Sequence, residues 1–330
     1  MGVSTQVWVI TCVVILGLFV FDFFAHVRVP HDPTFRESAI WSTVYITFAV
    51  VFGFFVWWQW GGQYGGEYFA GYVTEKALSV DNLFVFTVIM SSFAVPRAYQ
   101  QKLLLIGIVM ALVMRAGFIA LGAAAINAYS WVFYIFGIFL IVTALKLARE
   151  SGHEREVEVE RENRIVSLVR RFVPTTDDYD GDKFLTRING KRAVTPMLLA
   201  LVAIGFTDLL FALDSIPAIY GLTEEAYIVF TANAFALMGL RQLYFLIGGL
   251  LDRLIYLSAG LSIILGFIGI KLVLHALHKN TLGFINDGAY VNVPEISTQM
   301  SIGFIAVVLI VTTVASLWRT RGRAARKTQP

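Results

Sequence analysis

Nine stretches of about 20 mostly apolar residues follow one another along the chain, at approximately 6–25, 40–58, 68–92, 103–125, 130–148, 195–220, 227–250, 258–278 and 299–318. An α-helix rises ~1.5 Å per residue, so each stretch is long enough to cross the ~30 Å hydrocarbon core of a bilayer. The composition points the same way: 57% of the 330 residues are apolar and 15% are charged, where a soluble domain carries about a quarter charged. Mean hydropathy is +0.71. The chain therefore reads as an all-α, polytopic membrane helix bundle with about nine transmembrane helices. The single cysteine, Cys12, lies in the first apolar run, which excludes a disulfide framework and a thiolate metal site. No basic segment or small-residue cleavage site accompanies that run, so it is expected to remain as a helix and not to be removed as a signal peptide.

Charge sets the expected orientation. The third span is the least apolar because Glu75, Lys76, Ser79, Asp81 and Asn82 interrupt it. With all nine spans crossing and the N-terminus outside, the inner side receives Arg28, Arg36, Arg97, Lys102, the 149–193 loop, Arg253 and the basic tail, while the outer loops receive only Lys279. That is the positive-inside asymmetry, and removing the third span would reverse every later loop. The expected location is a bacterial plasma (inner) membrane with a cytoplasmic C-terminus. Within the long loop, 154–162 reads as a solvated mixed-charge helix and 165–173, beside Arg164, Arg170 and Arg171, as a short helix on the inner membrane surface. The acidic run 175–182 resembles an EF-hand but has Lys183 where the sharp turn needs glycine, so it reads as a polar turn.

A polar skeleton inside the third span, Glu75-Lys-Ala-Leu-Ser-Val-Asp-Asn-Leu-Phe-Val-Phe86, returns in the sixth as Asp208-Leu-Leu-Phe-Ala-Leu-Asp-Ser-Ile-Pro-Ala-Ile219. Carboxylates at membrane depth cost at least ~2.5–3.5 kcal/mol each on insertion scales, which makes them functional by default. The echo extends further: Arg115 and Arg241 are each followed by an aromatic residue three on and a glycine seven on, and Lys146 and Lys271 fall late in the fifth and eighth spans. Three spans separate equivalent positions, so the second copy must be inserted upside down. The expected organisation is two N-terminal spans (1–61), a first three-helix unit (62–148), a cytoplasmic loop (149–193), an inverted second unit (194–278), then an outer loop, the last span and a basic tail (279–330).

Helix geometry places residues seven apart on one face and residues six apart about 120° round. Glu75 therefore stands over Asn82 and Asp208 over Ser215, while Asp81 and Asp214 point elsewhere unless the helices unwind. Pro217 supplies a reason for unwinding in the sixth span, since it leaves the carbonyl of Leu213 without its donor. A break in the third span would complete a single pocket. Glu75, Asp81, Asn82, Asp208, Asp214 and Ser215, with Asn233 as a further donor, form an all-oxygen set suited to Mn²⁺, Mg²⁺ or Ca²⁺, whereas copper and zinc recruit Cys, Met or His. His275 and His278 sit at an outer helix end and read as interfacial. The plainer reading is that the four acids neutralise Lys76, Arg115 and Arg241. Four acids against three bases leave one negative charge, which favours a site that takes a proton or a metal ion, and hence cation/proton exchange.

The blocks 71–86, 207–219 and 228–245 resemble the signature segments of the TerC/Alx family of bacterial membrane proteins, and the likeness covers nearly the whole chain. The resemblance implies association with tellurium resistance and Mn²⁺ export, with Glu75, Asp81, Asp208 and Asp214 as ion ligands beside Asn82 and Ser215. Many members carry an acid where this chain has Gly205, a difference that bears on ion preference. Expected partners are the lipid bilayer and a divalent cation, with no nucleic acid, no resident cofactor and no enzymatic activity. An intramembrane aspartyl protease would show Gly-x-Gly-Asp where this chain has Gly205-Phe-Thr-Asp208, and a primary pump would need a phosphate-cradling Gly-rich loop. The alternative function is a membrane partner for metal delivery or for assembly of membrane and secreted proteins.

Overall fold

The computed structural model describes residues 1–28, 31–150, 175–176, 178–188, 191–247, 256–280, 282, 285–286 and 289–327. The helices expected at 154–162 and 165–173, and Arg253, lie outside these. Ten α-helices are described: α1 (Thr5–Asp22), α2 (Phe35–Trp60), α3 (Gly62–Ser92), α4 (Arg97–Ala128), α5 (Val132–Glu150), α6 (Pro196–Tyr220), α7 (Ala226–Leu237), α8 (Leu240–Ile247), α9 (Leu257–His278) and α10 (Thr298–Lys327). A π-helical turn, Phe23–Val27, extends α1. Capping fixes several of the starts. Ser4 accepts from the N–H of Val7 (3.4 Å), Thr34 accepts from that of Glu37 (3.2 Å), and Pro196 opens α6. Inside the long loop a two-stranded antiparallel hairpin, β1 (Leu185–Ile188) and β2 (Lys191–Val194), is held to α4 by the Lys102–Asp182 ion pair at 2.7 Å. Asp180 of the acidic run is engaged by Lys183 (3.1 Å) and Thr186 (2.8 Å), in keeping with a polar turn.

Among the described residues, eight helical stretches are long and apolar enough to cross a membrane, with α7 and α8 together forming one of them. α3 is not among the eight, although its 31 residues give ample length, because it carries Glu67, Glu75, Lys76 and Asp81. Apolar side chains such as Ile10 and Val13 on α1, Ile138 on α5 and Ile310 on α10 face outward, as a lipid-facing surface requires.

Two differences from the sequence reading concern helix breaks. α3 and α6 both run unbroken through their acid motifs. Pro217 lies in the last turn of α6, where the single bond that it cannot make does not unwind the helix, and the N–H of Gly221 donates to its carbonyl at 2.9 Å. The break falls instead within the seventh span, where Met238 turns extended (ψ 136°) and Gly239 takes φ +77°, a conformation open to glycine.

Helix directions follow from the contacts. Along α5 and α9, Phe133 meets His275, Gly137 meets Val273, Ile141 meets Gly269 and Ala144 meets Gly266, so the two helices are antiparallel. α3 and α6 are antiparallel as well, since Glu67 bonds Thr223 while Gly71 packs on Ile219. Conversely α4 and α6 run parallel, through Gly107 on Ile204, Arg115 on Asp208 and Gly122 on Tyr220. α3 runs parallel to α7, with Gly71 on Ala232 and Lys76 on the carbonyl of Ala236. Inverted three-helix units require this set of directions: equivalent helices oppose one another, and the first helix of each unit lies along the second helix of the other.

The α5–α9 crossing is the tightest backbone approach in this group. A Cβ on Gly269 would lie 2.9 Å from the carbonyl oxygen of Gly137 and 3.0 Å from the amide nitrogen of Ile141, so no rotamer change makes room. Gly269→Val is therefore expected to cost on the order of 1–3 kcal/mol, as core overpacking does. Gly17→Val, with nothing within 4 Å of its Cβ, should be neutral. Thermal midpoints of the two variants in detergent check this.

Candidate ion site

The two acid motifs meet in the middle of the bundle, but their four carboxylates divide into two groups. Glu75 on α3 and Asp208 on α6 are buried and converge on the guanidinium of Arg115 from α4, which is fully buried. Arg115 Nη2 lies 3.0 Å from Asp208 Oδ1 and Nε 3.2 Å from Oδ2, a two-pronged pairing, while Nη1 bonds Glu75 Oε1. Nη1 also reaches Asn233 Oδ1 (3.0 Å) on α7 and Ser215 Oγ (3.3 Å), and Ser79 Oγ donates to Glu75 Oε1 at 3.4 Å. Two buried polar atoms at this cluster, Glu75 Oε2 and Asn233 Nδ2, have no hydrogen-bond partner among the described residues. A planar, permanently charged fork is the side chain best suited to hold carboxylates from two helices at once.

The second acid of each motif points away from Arg115, as regular helix geometry dictates for residues six apart. Asp81 and Asp214 are half-buried and line a cavity of about 160 Å³ together with Asn82, Ser215, Thr143 and Lys146, closed by apolar residues including Phe211 and Leu265. Thr143 on α5 donates to Asp214 (3.2 Å), and Ser258 on α9 donates to Asp81 (3.3 Å). Ser215 belongs to both groups, touching Arg115 and facing the cavity. The seven expected oxygen donors thus do not share one pocket: Asp81, Asn82, Asp214 and Ser215 face the cavity, while Glu75, Asp208 and Asn233 surround an arginine.

The other two bases meet none of the four acids in the contacts described. Lys76 donates to the carbonyls of Ala236 (3.0 Å) and Met238 (3.3 Å), which the break between α7 and α8 leaves open. These carbonyls are left open because Gly239 interrupts the helix. Arg241 pairs with Asp22 on α1 at 2.7 Å and bonds Gln101; Asp22 also accepts from Tyr45 (2.8 Å) and Gln242 (3.1 Å). The sequence pattern alone does not single out Asp22, which is buried here beside Arg241. Thr143 and Lys146, three apart and so on one helical face, were the recoverable signal for the fifth helix, since Lys146 already stood out in the repeat.

A second, larger cavity of about 600 Å³ opens at the opposite end of the same four helices, between Glu67 of α3, Phe133 of α5, Tyr220 of α6 and Lys271 of α9. Leu140, Ile216 and Ile268, each at most 3% exposed, fall in sequence between the linings of the two cavities and belong to one apolar cluster. At the rim Glu224 accepts from Lys279 (2.8 Å) and lies 3.0 Å from His275 Nε2. The His275 imidazole beside it, reinforced by Lys279, pushes its carboxyl from an ordinary 4.5 down to about 2. A lowered carboxyl stabilises the fold above its ordinary value and loses that contribution as pH falls from 4.5 toward 2. Glu224 is 47% exposed, so screening keeps the effect below ~1 kcal/mol. The thermal midpoint of Glu224→Gln should lie slightly below that of the unsubstituted protein at pH 6, with the gap closing toward pH 3.

Antiparallel repeat units, long apolar helices and a polar centre define the chain as a polytopic helical membrane protein. Its sequence matches the model of the integral membrane protein TerC family over residues 60–324, and the chain belongs to that family. It is 54% identical over 325 residues to an uncharacterized membrane protein of Mycobacterium tuberculosis (strain ATCC 25618 / H37Rv), covering 98% of this chain and 82% of the relative. An uncharacterized membrane protein of Myxococcus xanthus is 37% identical over 318 residues, covering 96% and 94%. A Shigella flexneri protein, Alx, whose name describes a membrane-bound redox modulator, is 35% identical over 299 residues and 88% of each chain. No solved structure matches the chain.

Proposed function

We propose that this protein is a secondary transporter that exports a hard divalent cation, Mn²⁺ being the ion the family resemblance implies, with protons as the exchanged species. The units at 62–148 and 194–278 are its two halves, set in a bacterial inner membrane with the N-terminus outside and the C-terminus cytoplasmic. The observation that carries this reading is the 160 Å³ cavity faced by one carboxylate from each motif, Asp81 and Asp214, with the amide of Asn82 and the hydroxyls of Ser215 and Thr143 around them. All are oxygen donors. Two carboxylates with several neutral oxygens suit an ion that keeps part of its water shell, which is how Mg²⁺-like cations bind. Because the donors come from different helices, a relative movement of the helices would change the site, which is what alternating access requires. Glu75, Asp208 and Asn233 take the supporting role in this reading: they hold Arg115, and Arg115 in turn fixes Ser215 at the cavity wall.

The test is transport by the purified protein in liposomes. Mn²⁺ should enter down its gradient, reported by a trapped fluorescent indicator, at least ~10-fold faster than in protein-free vesicles. Cells carrying the gene should hold less manganese under manganese load than cells lacking it. Liposomes as tight to Mn²⁺ with the protein as without it would end the proposal.

A further inference from the structure

We infer that Lys146 is a tethered counter-cation for the ion site: its ammonium neutralises the Asp81–Asp214 cavity when no ion is bound and gives way when a divalent cation enters. The inference rests on the proposed transport reading and assigns a role to a residue outside the two acid motifs. Lys146 lines the cavity from α5, one turn after Thr143.

The charge balance drives the exchange of partners. Asp81 and Asp214 bring two negative charges to the lining, and Lys146 is the one basic residue that forms it among the described residues. Two carboxylates left empty in a membrane interior would be costly, and one ammonium offsets half of that charge. A divalent cation neutralises both carboxylates by itself, after which Lys146 adds only repulsion. Lysine is suited to yield, because its charge is a compact point on a flexible four-carbon stem. Of the bases nearest the acid motifs among the described residues, Arg115 is committed to Glu75 and Asp208 and Lys76 to the carbonyls of α7 and the residue after it. The repeat supplies a parallel: Lys271, the counterpart of Lys146 on α9, lines the cavity at the opposite end, so each cavity of the inverted pair carries one lysine from the third helix of its unit.

Two readouts separate this role from a merely structural one. Mn²⁺ binding to the purified protein, followed by electron paramagnetic resonance of the free ion, should tighten at least ~10-fold in Lys146→Gln, where the competing charge is gone. Lys146→Arg, which keeps the charge, should bind as the unsubstituted protein does. In liposomes Lys146→Gln should retain Mn²⁺/Mn²⁺ exchange yet lose net Mn²⁺ export by at least ~10-fold, because the carrier that returns with one exchanged proton on the acid pair still needs the lysine to neutralise the other acid. Binding in the unsubstituted protein with unchanged or weaker binding in Lys146→Gln overturns the inference and leaves the transport reading standing. Absence of binding in the unsubstituted protein overturns both.

Discussion

Arg115→Met should lose ~3–5 kcal/mol of stability, the cost of leaving buried carboxylates without their partner. Glu75 and Asp208 both end on this guanidinium and neither has an exposed route to water. Methionine fills a similar volume without charge, so the loss would report electrostatics and not a cavity. Restoring neutrality should restore the fold: the triple variant Arg115→Met, Glu75→Gln, Asp208→Asn should recover most of the loss, since replacing a complete buried ion cluster is often neutral. Thermal midpoints and yields of monodisperse protein in detergent measure both. A single variant as stable as the unsubstituted protein would mean that the cluster does not hold α3, α4 and α6 together.

Asp81→Asn and Asp214→Asn should behave in the opposite way. Each is expected to abolish Mn²⁺ flux in liposomes, by two orders of magnitude or more, while changing the thermal midpoint little. Asparagine keeps the shape and an oxygen donor but removes half of the negative charge that would hold a divalent ion. Both acids are half-buried beside a cavity, and the hydroxyls of Thr143 and Ser258 that donate to them can donate equally to an amide oxygen. The contrast is diagnostic: the Arg115 variant should be lost to instability, the Asp81 and Asp214 variants to inactivity in a folded protein. Normal flux in both aspartate variants would remove the cavity as the ion site.

Much of the architecture was legible in the chain. The lengths of the apolar runs gave the helices, and the antiparallel α5–α9 and α3–α6 contacts have the directions that inverted units would need. The third helix was legible only through charge: composition alone passes it over, since it is the one least apolar. The helix break falls elsewhere than expected: α6 continues through Pro217 to Tyr220, so the single bond that the proline cannot make does not unwind it, whereas Gly239 takes a backbone angle that ends α7 outright.

The residues six apart illustrate what the chain determines and what it leaves to packing. A rotation of 100° per residue dictates that Glu75 and Asp81 diverge, and likewise Asp208 and Asp214, whatever the surroundings. Which neighbour each one meets depends on helices far away in sequence. Arg115 comes from α4 and claims the first acid of both motifs, and Thr143 and Lys146 come from α5 to the wall of the second pair. Arg241, equivalent to Arg115 in the repeat, goes instead to Asp22 of α1, a helix outside the repeated units. Local spacing fixes the direction of a side chain about its own helix axis. Charge pairing in a low-dielectric interior is decided by whichever buried partner the assembled bundle brings within hydrogen-bond reach, and only the tertiary structure supplies that.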